Sequence, residues 1–249
     1  MEIGAQFYTV REHCRTLEDF AESLKKVADI GYRTVQISGT CPYPADWLKE
    51  NLEKNGLRCV LTHIPVPRLT EELDQVIADH EVFGCDHIGL GYWSFDPASE
   101  MTLEKWLATF PPIARKIAQS GKTFMYHNHD GEFRRLNGRL VMETLMESVP
   151  AEEMGFTLDT FWVQAGGGDP AQWLEKLSGR VPVIHLKDFA YGRSMAVVGE
   201  GNINFARVFE KAEAAGTKYM LVEQDDCHGE DPFDCLRRSY ENLRAWGFR

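Results

Sequence analysis

The chain has 249 residues, 43% hydrophobic and 26% charged, a composition that supports a substantial buried core. Its formal net charge of −11 and pI near 5.2 argue against a phosphate backbone as main partner, because nucleic-acid-binding proteins carry a basic face. No apolar run reaches the ~18 residues of a membrane span, and MEIGAQFYTVREH lacks a basic stretch followed by a long apolar one; the expectation is a soluble cytoplasmic protein with no membrane partner.

In chain order, apolar runs rich in β-branched residues alternate with stretches of helical periodicity. EIGAQF (2–7) precedes LEDFAESLKKVADIG, where Leu17, Phe20, Leu24 and Val27 fall on one face. YRTVQIS (32–38) precedes PADWLKENLEKNG, LRCVLTH (57–63) precedes TEELDQVIADHEVFG, and DHIGLG (86–91) precedes TLEKWLATFPPIARKIAQSG. KTFMYH (122–127) is followed by LVMETLMESVP, MGFTLD (154–159) by PAQWLEKLSG, VPVIHL (181–186) by FARVFEKAEAAG, and KYMLVE (218–223) by PFDCLRRSYENLRAW. Several of the helical stretches close on the glycine expected just past a helix end.

Eight strand-plus-helix units in 249 residues, with strand starts about 25 to 37 residues apart, predict an α/β protein: one (β/α)₈ TIM barrel domain over 1–249. A doubly wound open sheet is the rival, but it expects a glycine-rich turn after the first strand, where QFYTVREH stands. The loops 92–101 and 187–203 exceed a minimal unit and follow strands, so they belong over the face where barrels do chemistry. The GGG at 166–168 reads as a loop before a helix start, not as an interdomain hinge.

A barrel collects functional side chains at the C-terminal ends of its strands. Polar residues stand there throughout: Gln6, Gln36 and Ser38, His63, His127 followed by His129, Asp159, His185 and Glu223. Strands five to eight are neighbours, so His127, Asp159, His185 and Glu223 converge. Two imidazoles and two carboxylates suit Mn, Co, Fe or Zn better than Ca or Mg, which prefer oxygen shells. His127 is preferred over His129 as ligand because it stands where the apolar run stops; His129 is left for the substrate, and Asn128 faces the other way.

Further candidates surround this set. Gln6, His63 and Trp162 are placed to touch substrate, with Phe161 beside Trp162 as an apolar wall. Lys187 is read as stabilising a developing oxyanion or binding phosphate, against a plain salt bridge with Asp188. Glu132 is read as a solvated loop residue rather than an acid–base group, and Arg11, Arg134 and Arg193 stand in loops from which a phosphate or carboxylate can be held. The six scattered cysteines form no CxxC pair and are expected to be reduced.

GAQFYTVRE, VQISG, LTHIP, YHNHDGEF, LDTFW, VIHLKDF, VGEGNINF and LVEQD, in this order, resemble the sugar phosphate isomerase/epimerase family. These are xylose-isomerase-like barrels that also include ketose 3-epimerases, inosose dehydratases and endonuclease IV. The resemblance implies a divalent metal held by a Glu, an Asp, a His and a Glu on strands five to eight. Asp159, His185 and Glu223 match, whereas the family's Glu-Asn-His on strand five is His127-Asn128-His129 here. In the ketose epimerases the two glutamates also move protons on opposite faces of an enediolate, and this chain keeps only Glu223. The resemblance therefore implies a metal-dependent isomerase or epimerase for a small sugar, polyol or sugar phosphate, with Glu223 moving a proton; the residues themselves add Lys187 and His129 as catalytic candidates. The alternatives are an inosose-dehydratase-like lyase and a barrel that only binds a ligand; DNA repair is disfavoured by the acidic charge. The sequence is compatible with a homo-oligomer, and no residue pattern selects its order.

Overall fold

The computed structural model describes residues 1–248. Each apolar run forms a strand: β1 (Glu2–Gln6), β2 (Thr34–Ile37), β3 (Arg58–His63), β4 (His87–Leu90), β5 (Thr123–His127), β6 (Met154–Asp159), β7 (Val183–Leu186) and β8 (Tyr219–Val222). All pair in parallel with their sequence neighbours, and β8 closes on β1, so the sheet is a closed barrel with helices outside it. This is the expected (β/α)₈ architecture. Among the described residues, no helix is long and apolar enough to cross a membrane.

The helices follow the periodic stretches with two differences. The helix Leu17–Ile30 starts on Thr16, whose hydroxyl accepts the Asp19 amide, and buries Phe20, Leu24 and Val27 as the pattern predicts. The stretch around TEELDQVIADHEVFG divides into Val66–Glu71 and Leu73–Val82 at Glu72, where φ leaves the helical range at −126°. The helix Leu103–Gln119 runs through Pro111 and Pro112, because its apolar face, including Trp106, Phe110, Ile113 and Ile117, is buried. Thr160–Ala165 forms a helix too short for periodicity to reveal, and it is capped by Asp159. Residues 188–190 and 194–196 pair as a small hairpin after β7.

Two apolar layers position the site. Between strands and helices lies the main core, with Tyr32, Phe124, Phe156 and Trp106 fully buried. A smaller cluster of Leu61, Met125, Val183 and Leu221, with Val60, belongs to the strands alone. Alternate residues of a strand face one way, so His63, His127, His185 and Glu223 each follow one of these residues by two positions. The polar groups thus stand on an apolar floor that fills the barrel.

His80 shows how the outer layer handles polarity. Its Nδ1 lies 2.7 Å from the Val76 carbonyl and its Nε2 2.7 Å from the Thr62 hydroxyl, and burial pushes its pKa down to about 4. The unfolded chain binds a proton near pH 6.5 that folded His80 refuses, so its contribution is complete above that pH and fades as pH falls toward 4. Denaturant titrations stepped across this window should show unfolding free energy dropping, with roughly 3 kcal/mol attributable to this residue. His80→Gln should give a measurably shallower pH slope; an unchanged slope would refute the assignment.

Candidate active site

Parallel register brings the end residues of β5 to β8 together. Asp159 and His185 are direct cross-strand partners, and His127 lies beside Thr157 one step below Asp159. His127, Asp159, His185 and Glu223 are all buried and each offers one ligand atom, the four atoms lying within 4.8 Å of one another. His127 Nε2 is 3.3 Å and His185 Nδ1 3.7 Å from Asp159 Oδ2, while His185 Nδ1 is 2.9 Å from Glu223 Oε2.

The other polar atom of each group is tied down away from this point. His127 Nδ1 is 3.0 Å from the Gly91 carbonyl, and His185 Nε2 is 2.6 Å from Gln36 Oε1. Both acceptors favour a proton on the outward nitrogen, which in the neutral ring turns the lone pair of the other nitrogen inward. Asp159 Oδ1 accepts the Trp162 amide at 3.0 Å, and Glu223 Oε1 accepts from Gln6 Nε2 at 2.6 Å. Asn128, facing away from His127 as alternation requires, accepts the Asp159 amide at 3.0 Å and clips β5 to β6. His185 Nδ1 and Glu223 Oε2 carry no directed hydrogen bond despite full burial. Four inward donors with oriented partners fit a divalent ion of the Mn, Fe, Co or Zn type.

Lys187 supplies positive charge. Its ammonium lies 3.1 Å from Asp159 Oδ2, 2.9 Å from Glu223 Oε2 and 3.0 Å from Asp225 Oδ1, and 5.4 Å from the Trp162 ring centre. Burial disfavours its charge, but the three carboxylates outweigh burial and raise its pKa. Burial would raise Glu223 and Asp159 as well; Lys187 and the neighbouring histidines reverse this and hold both carboxyls well below the usual range. His185 is raised, because Glu223 and Asp159 overcome its burial. Burial and the adjacent imidazoles lower His63, His127 and His129, which stay neutral. Burial and Glu223 push Asp225 up to about 6. Lys187 contacts the same inward oxygens that a metal would use, so the two cations compete for them.

Gln6, His63, His127, His129, Trp162, Lys187 and Glu223 all line one open cavity of about 530 Å³, a usual size for a small-molecule site. His63 Nδ1 is 3.1 Å from the Ser38 hydroxyl, and Gly91 leaves it room: a Cβ there would stand 2.7 Å from the same nitrogen. Arg193 is not in this wall; it sits in the hairpin turn after β7 and pairs with Asp130 across the mouth. The Lys187–Asp188 bridge is also absent, because adjacent residues of extended chain point oppositely: Asp188 turns outward onto backbone amides. Glu132 is not solvated: it is fully buried, receives the Tyr126 hydroxyl at 2.5 Å, and burial pushes it up to about 7. Asp225, Tyr8 and Tyr92 join the wall without having been singled out. For Asp225 the signal was present, two positions beyond Glu223 on the same alternation.

A family model described as xylose isomerase-like TIM barrel matches residues 24–246. An inosose dehydratase of Geobacillus thermodenitrificans is 24% identical over 173 residues, which cover 60% of this chain and 57% of that protein. The match thus spans little more than half the length of that curated relative. The solved structure of a sugar phosphate isomerase/epimerase from Parabacteroides distasonis superposes with a TM-score of 0.85 at 22% identity, covering 99% of this chain and 94% of the other. A D-allulose 3-epimerase from Methylomonas sp. gives 0.77 at 15% identity, covering 98% and 97%.

The outward ties generate a prediction. Gln36→Leu should weaken Mn²⁺ affinity in calorimetric titration by about 10- to 100-fold without loss of fold, since His185 loses the partner that orients it. Asp159→Ala should abolish stoichiometric uptake, and a Gln36→Leu protein with wild-type affinity would contradict the oriented-ligand account.

Proposed function

Because the chain belongs to the xylose isomerase-like TIM barrel family, we propose that it is a metal-dependent enzyme that isomerises or epimerises a small sugar or keto-polyol. The observation that carries this reading is the set of four inward atoms that outward partners hold toward one point. His127, Asp159, His185 and Glu223 would hold a divalent ion, which would supply Lewis-acid polarisation of a substrate carbonyl and so lower the pKa of the C–H on the adjacent carbon.

The chain's own residues do the rest. Glu223, ionised throughout the physiological range, stands in the cavity wall and takes the proton. Lys187 places its ammonium beside Glu223, where it stabilises negative charge growing on a substrate oxygen. Trp162 offers the apolar face against which a sugar ring or chain lies, and His63 and His129 offer neutral imidazole edges to hydroxyls. Proton return to the adjacent carbon gives isomerisation, and return to the opposite face gives epimerisation.

Strand five favours a second reading, dehydration. With His127 where the resemblance implies a glutamate, Glu223 is the one carboxylate of the metal set that lines the cavity, instead of a base on each face of the substrate. Elimination of a β-hydroxyl needs one base and one acid, and Asp225, raised to about 6, is the cavity's remaining carboxyl.

The test is solvent exchange. Metal-loaded protein in D₂O should incorporate deuterium next to the carbonyl of a ketose or an inosose, followed by NMR, and Glu223→Gln should slow incorporation by about 10³-fold. New signals from an epimer, an aldose or an enone separate the three reactions. No incorporation with any ketose or inosose would remove the enzyme reading.

A further inference from the structure

The cavity also constrains the charge of what enters it. Among the described residues, Lys187 is the only lysine or arginine in the cavity wall, and three carboxylates, Asp159, Glu223 and Asp225, already surround its ammonium. One divalent cation brought to this set would make it formally neutral, with no positive charge left over. A phosphate monoester adds about two negative charges, and a buried charge without a partner is strongly disfavoured.

The arginines that stand in nearby loops are committed elsewhere. Arg11 donates to the carbonyls of Tyr8 at 2.8 Å and Asp225 at 3.1 Å and stacks on the Tyr8 ring; Arg134 donates to the Phe95 carbonyl at 3.3 Å; Arg193 pairs with Asp130. None of them lines the cavity.

Backbone amides tell the same story. Barrels commonly hold phosphate on the loops after strands seven and eight. Here the amides of that first loop close on the chain's own Asp188: Gly199 and Gly201 donate to Oδ2 at 2.9 Å each, Ile203 to Oδ1 at 3.2 Å, and Phe189 to Oδ1 at 2.8 Å. Gly201 is required for this approach, since a Cβ there would stand 2.4 Å from Oδ1. After β8, the Gln224 amide donates to the Thr9 hydroxyl at 3.0 Å and the His228 amide to Asp226 Oδ1 at 2.7 Å. An internal carboxylate thus occupies the anion cradle.

What the wall does offer is neutral hydrogen bonding. His63 Nε2, His129 Nδ1 and Trp162 Nε1 are buried, line the cavity and have no partner within the protein. Such atoms call for hydroxyl or carbonyl groups on a ligand.

Resting on the isomerase, epimerase or dehydratase reading, we infer that the substrate is an uncharged polyhydroxy ketone, and that its phosphorylated counterparts are rejected. The test compares D-allulose and D-fructose with their 6-phosphates on metal-loaded protein, by deuterium incorporation and by calorimetric binding. The free ketoses should exceed their esters in kcat/KM by about 100-fold or more, the scale expected when a charged group enters without a partner. Esters used as well as, or better than, the free ketoses overturn this inference and leave the proposed reaction intact. If no ketose exchanges, the proposed reaction fails for ketoses and binding decides the inference: free ketose or inosose binding with silent esters supports it, whereas tighter ester binding, or no binding of either, overturns it.

Discussion

Two carboxylates, Asp159 and Glu223, lie buried at one end of the barrel and stay ionised. A buried anion needs compensating charge and directed donors, or it takes up a proton. Lys187 supplies the charge, and Gln6 and the Trp162 amide supply the donors. The imidazoles of His127 and His185 complete the set, His127 kept neutral by burial and His185 drawn toward the carboxylates. Much of the surrounding structure is organised by that requirement: Gln36 and the Gly91 carbonyl set the tautomers, Asn128 locks the relative height of two strands, and Asp225 takes the far side of the ammonium.

The barrel makes such a site sustainable. Its interior is closed by Leu61, Met125, Val183 and Leu221, so the polar groups above this floor face only one opening. Each is borne by a strand whose backbone is hydrogen-bonded on both sides, and rigid strands hold side chains more tightly than loops do. The loops contribute what must reach across: Trp162 from the short helix that Asp159 caps, and the hairpin after β7, which Arg193 fastens to Asp130 and Ser194 to His228.

Charge divides the C-terminal end into two regions. Inside the cavity an ammonium is shared among carboxylates, and outside it Asp188 draws in the amides of the following loop. Lys187 and Asp188 are adjacent in sequence, yet the extended chain sends one to the site and the other to the loop. This single alternation both sets the ammonium among the cavity's carboxylates and turns Asp188 onto the amides of the following loop.

Much of this was legible in the residues themselves. Apolar runs at regular spacing predict the strands because burial on both faces demands continuous apolar sequence, and the alternation of two carries His127, His185 and Glu223 to one face. Strand order placed His127, Asp159, His185 and Glu223 around one point, and the resemblance pointed to the last three of them. Tertiary structure alone decided the rest. Glu132 carries a loop residue's sequence context, but Tyr126 and the folded loop bury it, and solvent access is a property of packing rather than of neighbours in the chain. Arg193 reads as a ligand-binding cation until the hairpin turns it to Asp130. Gln36 and Asp225 gain their roles from groups that lie 149 and 38 residues away, His185 and Lys187. The sequence by itself determined which residue types end each strand; the closed barrel determined which of their atoms face inward free and which are already taken, because hydrogen-bond partners come from strands distant in the chain.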